Sequence, residues 1–286
     1  MVDHPNVNKI SRHTFSCSKM AKKRSPFLIS VPHGGIEVPA IVLPLLLLKD
    51  EELRYYCDPC TRVLFGFEDR VAAYIDTSIS RMVVDLNRPP LPLPPHDPDG
   101  IIKVKTIDGR TVYRPGHLPD ITVIHDLLKT YYFPYHQRID DLIDQHDVRI
   151  AFDCHSMLPY GSVTQKDAGK LRPLICLGNN GDRQGRARKG SIATCSEEWI
   201  TALAVVFREE FSFDHEVEIN NPFSGGFISN AHYWHKGVPW IQIEINRSLY
   251  EPERTAIQNK NEIHVGVTLL REKIWKVFTV FWNRIR

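Results

Sequence analysis

The apolar positions divide the chain into short runs and longer amphipathic stretches. Phe27–Val31 is an apolar run that ends at Pro32-His33-Gly34-Gly35, which predicts a buried strand entering a Gly-rich turn. A largely helical stretch is expected over 53–74, and a second strand over 79–86 that ends in Asn87 and Arg88. From Ile124 to His146 the positions Ile124, Leu127, Leu128, Tyr131, Tyr135, Ile139, Leu142 and Ile143 keep three- and four-residue spacing. That spacing predicts an amphipathic helix, with a kink at Pro134. Residues 149–152 read as a third strand leading into Asp153-Cys154-His155-Ser156, and 173–177 as a fourth ending at Gly178. A helix over 196–211, with Ser196 as its N-cap, precedes a strand over 216–219 and an Asn/Pro/Gly loop. A strand over 240–245 and a last helix marked by Ile263, Val267, Leu270, Ile274, Val277 and Phe281 complete the pattern.

Strands alternating with helices predict an α/β fold with a largely parallel sheet. Residues 89–119 interrupt the alternation, with prolines at 89, 90, 92, 94, 95 and 98 and a possible hairpin around 103–113 turning at Asp108-Gly109. We read residues 25–286 as one domain carrying this Pro-rich segment as an insertion, and 1–24 as a disordered basic tail.

Charge sharpens that division. The 286 residues carry a formal net charge of +2, but residues 1–24 hold six basic groups and one acidic, leaving the rest at −3. A mildly acidic body argues against a nucleic-acid binder. The longest apolar run, Ile41–Leu48, is broken by Pro44 and is too short to span a bilayer, so no membrane partner is expected. The basic tail lacks the apolar segment of a signal peptide. Six cysteines do not make a disulfide scaffold, and Cys57 and Cys60 form a lone CxxC with no second ligand pair for a structural zinc. A cytoplasmic location is the expectation.

The candidate chemistry lies where apolar runs end. His33, Arg88, His155 and Glu244 each follow or close one, and ligands of open α/β sheets bind beyond the carboxyl ends of strands. Each residue also has a bland reading: a turn histidine for His33, a strand-end cap for His155, an edge-strand acid for Glu244. For Arg88, a fork for a substrate carboxylate competes with a structural pair to Asp85. Asp153, two residues before His155, shares its strand face and suits a carboxylate that orients a metal-bound imidazole. Cys154 points to the opposite face and cannot pair with His155 as a nucleophile. No G-x-S-x-G elbow, Walker A loop or G-x-G-x-x-G occurs. Two histidines plus an oxygen ligand permit metal-assisted hydrolysis of an amide, with a carboxylate shuttling the proton.

Several of these segments resemble the N-formylglutamate amidohydrolase family. They are Val31-Pro32-His33-Gly34-Gly35, Asp58 with Thr61, Arg81-Met82-Val83-Val84-Asp85-Leu86-Asn87-Arg88, Pro134-Tyr135-His136, Asp153-Cys154-His155-Ser156-Met157, Leu177-Gly178, Pro222-Phe223-Ser224-Gly225-Gly226 and Gln242-Ile243-Glu244-Ile245 with Tyr250. The resemblance implies a phosphorylase/hydrolase-like fold similar to zinc carboxypeptidases, a mixed, largely parallel sheet flanked by helices. It implies zinc or another divalent metal on His33 and His155, with Glu244 as general acid/base. Carboxypeptidases place a Glu three residues after the first His, which here is Ile36; Asp58 fits the family's acidic motif and is taken as third ligand, with Glu37 the alternative. Arg88, Asn87, Gly225 and Gly226 would hold the substrate, an N-acyl amino acid. After the Gly-Gly loop the family's histidine-degradation enzymes resemble I-T-R-x-Y-G, whereas here Ile228-Ser229-Asn230 lacks the basic residue. Another N-acyl amino acid or a peptide-like amide is therefore as plausible a substrate, and a non-catalytic module binding a small anion stays open.

Overall fold

The structure is a computed structural model describing residues 24–212, 216–251 and 260–286, with side chains of the last segment from residue 266. Residues 1–23 of the basic tail and the side chain of Ile263 lie outside the described residues. The strands are β1 (Ser25–Val31), β2 (Val71–Asp76), β3 (Ile150–Met157), β4 (Ile175–Gly178), β5 (Val217–Ile219) and β6 (Trp240–Asn246). They form one six-stranded sheet in the order β2-β1-β3-β6-β4-β5. All neighbouring pairs are parallel except β4 with β6, so the sheet is mixed and largely parallel.

The helices are α1 (Asp50–Tyr56), α2 (Thr61–Leu64), α3 (Ile121–Leu127), α4 (Phe133–Gln145), α5 (Glu197–Phe211), α6 (Phe227–Lys236) and α7 (Lys260–Ile285). They cover both faces of the sheet. Phe27, Ile29 and Val31 of β1, Phe152 and Cys154 of β3, and Ile241, Ile243 and Ile245 of β6 pack toward α5 and α7. The alternate residues, among them Leu28, Ala151 and Trp240, pack toward α3 and α4. The two-residue period of a strand thus places Ser30, Asp153, His155, Gln242 and Glu244 together on the second face. Among the described residues no helix is long and apolar enough to cross a membrane.

Three expectations are corrected. The strand expected at 79–86 is a run of turns, although Ile79, Met82, Val83, Val84 and Leu86 are buried. It passes beyond the end of β2, its backbone joined to the turn after β1 by the isolated bridges Gly35–Ser80 and Glu37–Ile79, and is covered by Ile101 and Ile102 of the insertion. An apolar run reports burial, not a ladder partner. The other neighbour of β1, beside β3, is β2, which overlaps the end of the stretch expected to be helical; there Pro59 and Gly66 follow the ends of the short helices α1 and α2, and Val71, Tyr74 and Ile75 suit a strand. The third correction is α6, which falls within the segment read as loop and ends at Gly237 with φ 69°.

The long amphipathic helix forms as α3 and α4 joined by a π-helical turn, Leu128–Tyr132. The irregularity precedes Pro134, whose missing N–H breaks the helix ladder at this point of a continuous helix. Ser196 caps α5 by accepting from Trp199 N. The expected hairpin at 103–113 forms as a minimal one: an antiparallel bridge Lys105–Thr111 flanked by Thr106 N donating to Arg110 O at 2.9 Å and Val112 N to Val104 O at 3.2 Å, turning through Asp108-Gly109.

Candidate active site

His33 stands two residues beyond the end of β1, in a turn whose glycine lies against the chain. A Cβ on Gly35 would stand 2.2 Å from the carbonyl of Ser78, so only glycine permits that approach. The His33 carbonyl accepts from Asp58 N at 2.9 Å, which docks the loop between α1 and α2 beside it. Arg247, just after β6, fixes the same loop by donating to the carbonyls of Tyr55 (2.8 Å) and Cys57. His155 lies within β3, directly in register with Glu244 of β6.

These placements bring His33, Asp58 and His155 together, all buried, with one donor atom from each within 4.8 Å of the others. Asp58 Oδ2 is 3.1 Å from His155 Nδ1 and 3.6 Å from His33 Nδ1. Each imidazole turns its other nitrogen to a buried carboxylate. His33 Nε2 is 2.7 Å from Asp85 Oδ1, and His155 Nε2 is 3.0 Å from Asp153 Oδ2. Asp153 is held by Ser30 Oγ at 3.3 Å and Asn87 Nδ2 at 2.9 Å. Asp85 is held by Arg81 at 3.0 Å, Lys103 at 2.9 Å and its own turn, Asn87 N, at 2.9 Å.

The donor set fits a metal. Asp85 is pushed up by burial, but Lys103, His33 and Arg81 outweigh that and hold it well below the usual carboxylate range. An ionised Asp85 fixes the proton of His33 on Nε2, so Nδ1 presents a lone pair. That atom is buried and has no hydrogen-bond partner. A carboxylate behind each imidazole is the arrangement that orients histidine ligands, and two nitrogens with one oxygen suit zinc. Asp58 is likewise depressed despite its burial, through His155, His33 and Arg81. His155 is lowered by burial yet raised well above its ordinary value by Asp153 and Asp58. A cation would meet the carboxylate of Asp58 between the two imidazoles. Glu37, the alternative ligand, is exposed and accepts from Ser78 Oγ, so it does not join the cluster.

Glu244 shares a cavity of about 580 Å³ with the cluster. Gln242 Nε2 donates to its Oε1 at 2.7 Å. Burial, opposed by His155 and reinforced by the charge of Asp58, lifts its carboxyl to about 7. Arg88 lines the cavity but arrives on the turn after 79–86 rather than on a strand, and its partner is Asp99 at 2.9 Å instead of Asp85. Asn87 points into the interior, joining Asp153 to the first turn of α6 by accepting from Ile228 N at 2.8 Å. Gly225 and Gly226 line the cavity; a Cβ on Gly226 would stand 2.3 Å from the Asn87 amide.

A model of the family described as N-formylglutamate amidohydrolase matches residues 25–251. The chain belongs to this family. The N-formylglutamate amidohydrolase of Ralstonia eutropha JMP134 has a similar structure, with a TM-score of 0.69 and 21% identity over 91% of this chain and 96% of that one. A gene product of Agrobacterium tumefaciens is similar at 0.62 and 19%, over 93% and 95%. A metallo-carboxypeptidase of Burkholderia cenocepacia is a looser likeness, at 0.38 and 14% over 95% of this chain and 61% of that one. No curated protein sequence matches the chain. Within this family fold, Asp85, Arg81, Lys103, Arg247 and Gln242 are site residues that sequence reasoning did not single out. Asp85 stands in the D-L-N-R segment and is weighed there only as a partner of Arg88; Arg81 and Gln242 stand in the resembling segments without a role being assigned, and Lys103 and Arg247 lie outside them.

Proposed function

We propose that this amidohydrolase is metal-dependent, using zinc or another divalent ion to cleave the amide bond of an N-acyl amino acid of the N-formylglutamate type. The observation that carries the reading is the orphaned Nδ1 of buried His33, facing Asp58 and His155 in a cavity shared with Glu244. His33, Asp58 and His155 would hold the ion, which when bound would supply Lewis-acid polarisation of the amide carbonyl and acidify water. Asp85 and Asp153 keep the two imidazoles in orientation. Glu244 accepts the proton of the attacking water and returns it to the amine nitrogen as the C–N bond breaks, leaving a carboxylic acid and a free amine. A carboxyl group near 7 matches that two-way role at neutral pH. Arg88 faces the substrate carboxylate, and the Asn87–Gly226 contact holds the cavity wall. A cytoplasmic location belongs to the same reading.

Metal analysis of purified protein, followed by hydrolysis of an N-acyl amino acid panel with zinc supplied, tests this. Bound metal and release of the amine are expected. Failure to bind any divalent ion would overturn it, and bound metal without turnover of any substrate would favour a non-catalytic binding module.

A further inference from the structure

The insertion contributes an ion network to the cavity wall. Arg88 and Lys103 are both held by one carboxylate, Asp99. Its Oδ2 accepts from Arg88 Nη2 at 2.9 Å and its Oδ1 meets Lys103 Nζ. Its carbonyl also accepts from Arg88 Nε at 3.0 Å and from Lys103 at 3.2 Å. A carboxylate spanning a guanidinium and an ammonium is how a bound acid would sit on these two cations.

The other arginines lining the cavity are also matched. Arg81 faces Asp85, Arg172 faces Asp167 and Arg247 is 3.7 Å from Asp58. The carboxylates differ in accessibility. Side chains of Asp58 and Asp85 are 2% and 0% exposed and Asp167 19%, whereas Asp99 is 53% exposed. Asp99 can rehydrate without unfolding anything around it. Lys103, itself 3% exposed, would still keep Asp85 at 2.9 Å and so would not be stranded.

We propose that Asp99 is a built-in occupant of the carboxylate subsite made by Arg88 and Lys103, and that an N-acyl amino acid displaces it on binding. This rests on the cavity being an N-acyl amino acid site. Exchange of one carboxylate for another is close to neutral in energy, because the gain on the cations is offset by release of Asp99. The wild-type enzyme therefore reads the carboxylate weakly, and substrate choice falls to the rest of the cavity. Asp99 sets specificity without touching the reacting atoms.

The test compares an N-formyl amino acid with its α-carboxamide, both in zinc-loaded enzyme. Wild type should favour the carboxylate by less than about tenfold in kcat/KM, and Asp99→Asn should raise that ratio at least tenfold through a lower KM for the carboxylate. A wild-type preference above a hundredfold would overturn the proposal, and needs no variant to fold. An unchanged ratio in Asp99→Asn, with unfolding temperature preserved, would also overturn it and leave Asp99 as a structural tie. Hydrolysis of neither compound nor any other N-acyl substrate would instead overturn the amidohydrolase reading.

Discussion

Glu244 and Asp85 are both buried carboxyl groups, yet their neighbours drive them apart. Glu244 has one hydrogen-bond donor, Gln242, and rises; Asp85 has Lys103, Arg81 and His33 and falls. Glu244→Gln should lower kcat by about 10²–10⁴-fold while metal content stays unchanged, measured by turnover alongside elemental analysis. Because the base form of Glu244 is the ionised one, kcat/KM should fall as pH drops. The limb should lie between the ordinary 4.5 and about 7, since a bound cation moves it downward, and Glu244→Gln should erase it. Asp85→Asn should cost about 1–3 kcal/mol in unfolding experiments, because Lys103 and Arg81 lose their shared carboxylate while keeping Asp99 and Asp58. It should also weaken metal affinity about 10–100-fold by freeing the His33 ring. The residues that sequence pattern could reach, His33, His155 and Glu244, are those placed by strand alternation or a strand-end turn. Asp85 and Lys103 depend on each other and on His33 across 18 and 52 residues of chain, which no local spacing announces; Gln242 shares its strand face with Glu244, but alternation alone does not mark it as a hydrogen-bond donor to it.

At the scale of elements, the sheet was readable where an apolar run was also a strand, as at β1, β3, β4 and β6. It was misread over 53–86, where burial comes from the insertion and from turns packed over the end of β2. The helix α6 was missed because its start carries glycines and its buried residues are few: Ile228, Ser229 and His232. Its position matters to the site. Asp140 bonds His232 at 2.8 Å, His232 bonds His136 at 2.9 Å, and His136 reaches the carbonyl of Leu86 at 3.1 Å. This chain ties α4 and α6 to the turn that carries Asp85 and Asn87. Burial, with His232 beside it, lowers His136 to about 3, so it is neutral and able to both donate and accept. Gly226→Ala should press on Asn87, loosening Asp153 and the first turn of α6 together. A loss of about 1–3 kcal/mol in thermal or denaturant unfolding is expected.

For the whole molecule, a metal that binds only the folded site adds to stability by mass action. Zinc at a hundredfold excess over its Kd should contribute about 2.7 kcal/mol, seen as a raised unfolding temperature, and His33→Ala should remove most of that rise. The family match begins at residue 25, so deletion of 1–24 should leave kcat/KM unchanged while shifting the isoelectric point downward. The pI and net charge describe that segment more than the site, which is built from groups that nearly cancel.

Lys103 has a consequence for how such a protein changes over generations. The insertion is the natural place for variation, since it is rich in proline, mostly irregular and forms one wall of the cavity. Yet from within it Lys103 reaches Asp85, which in turn orients His33. Drift in this wall is therefore not free of the chemistry: neighbours of Lys103 can be exchanged to suit new substrates, while Lys103 itself is tethered to the reaction. Chimeras that replace the insertion between homologues should keep activity only when a cation is retained at that position.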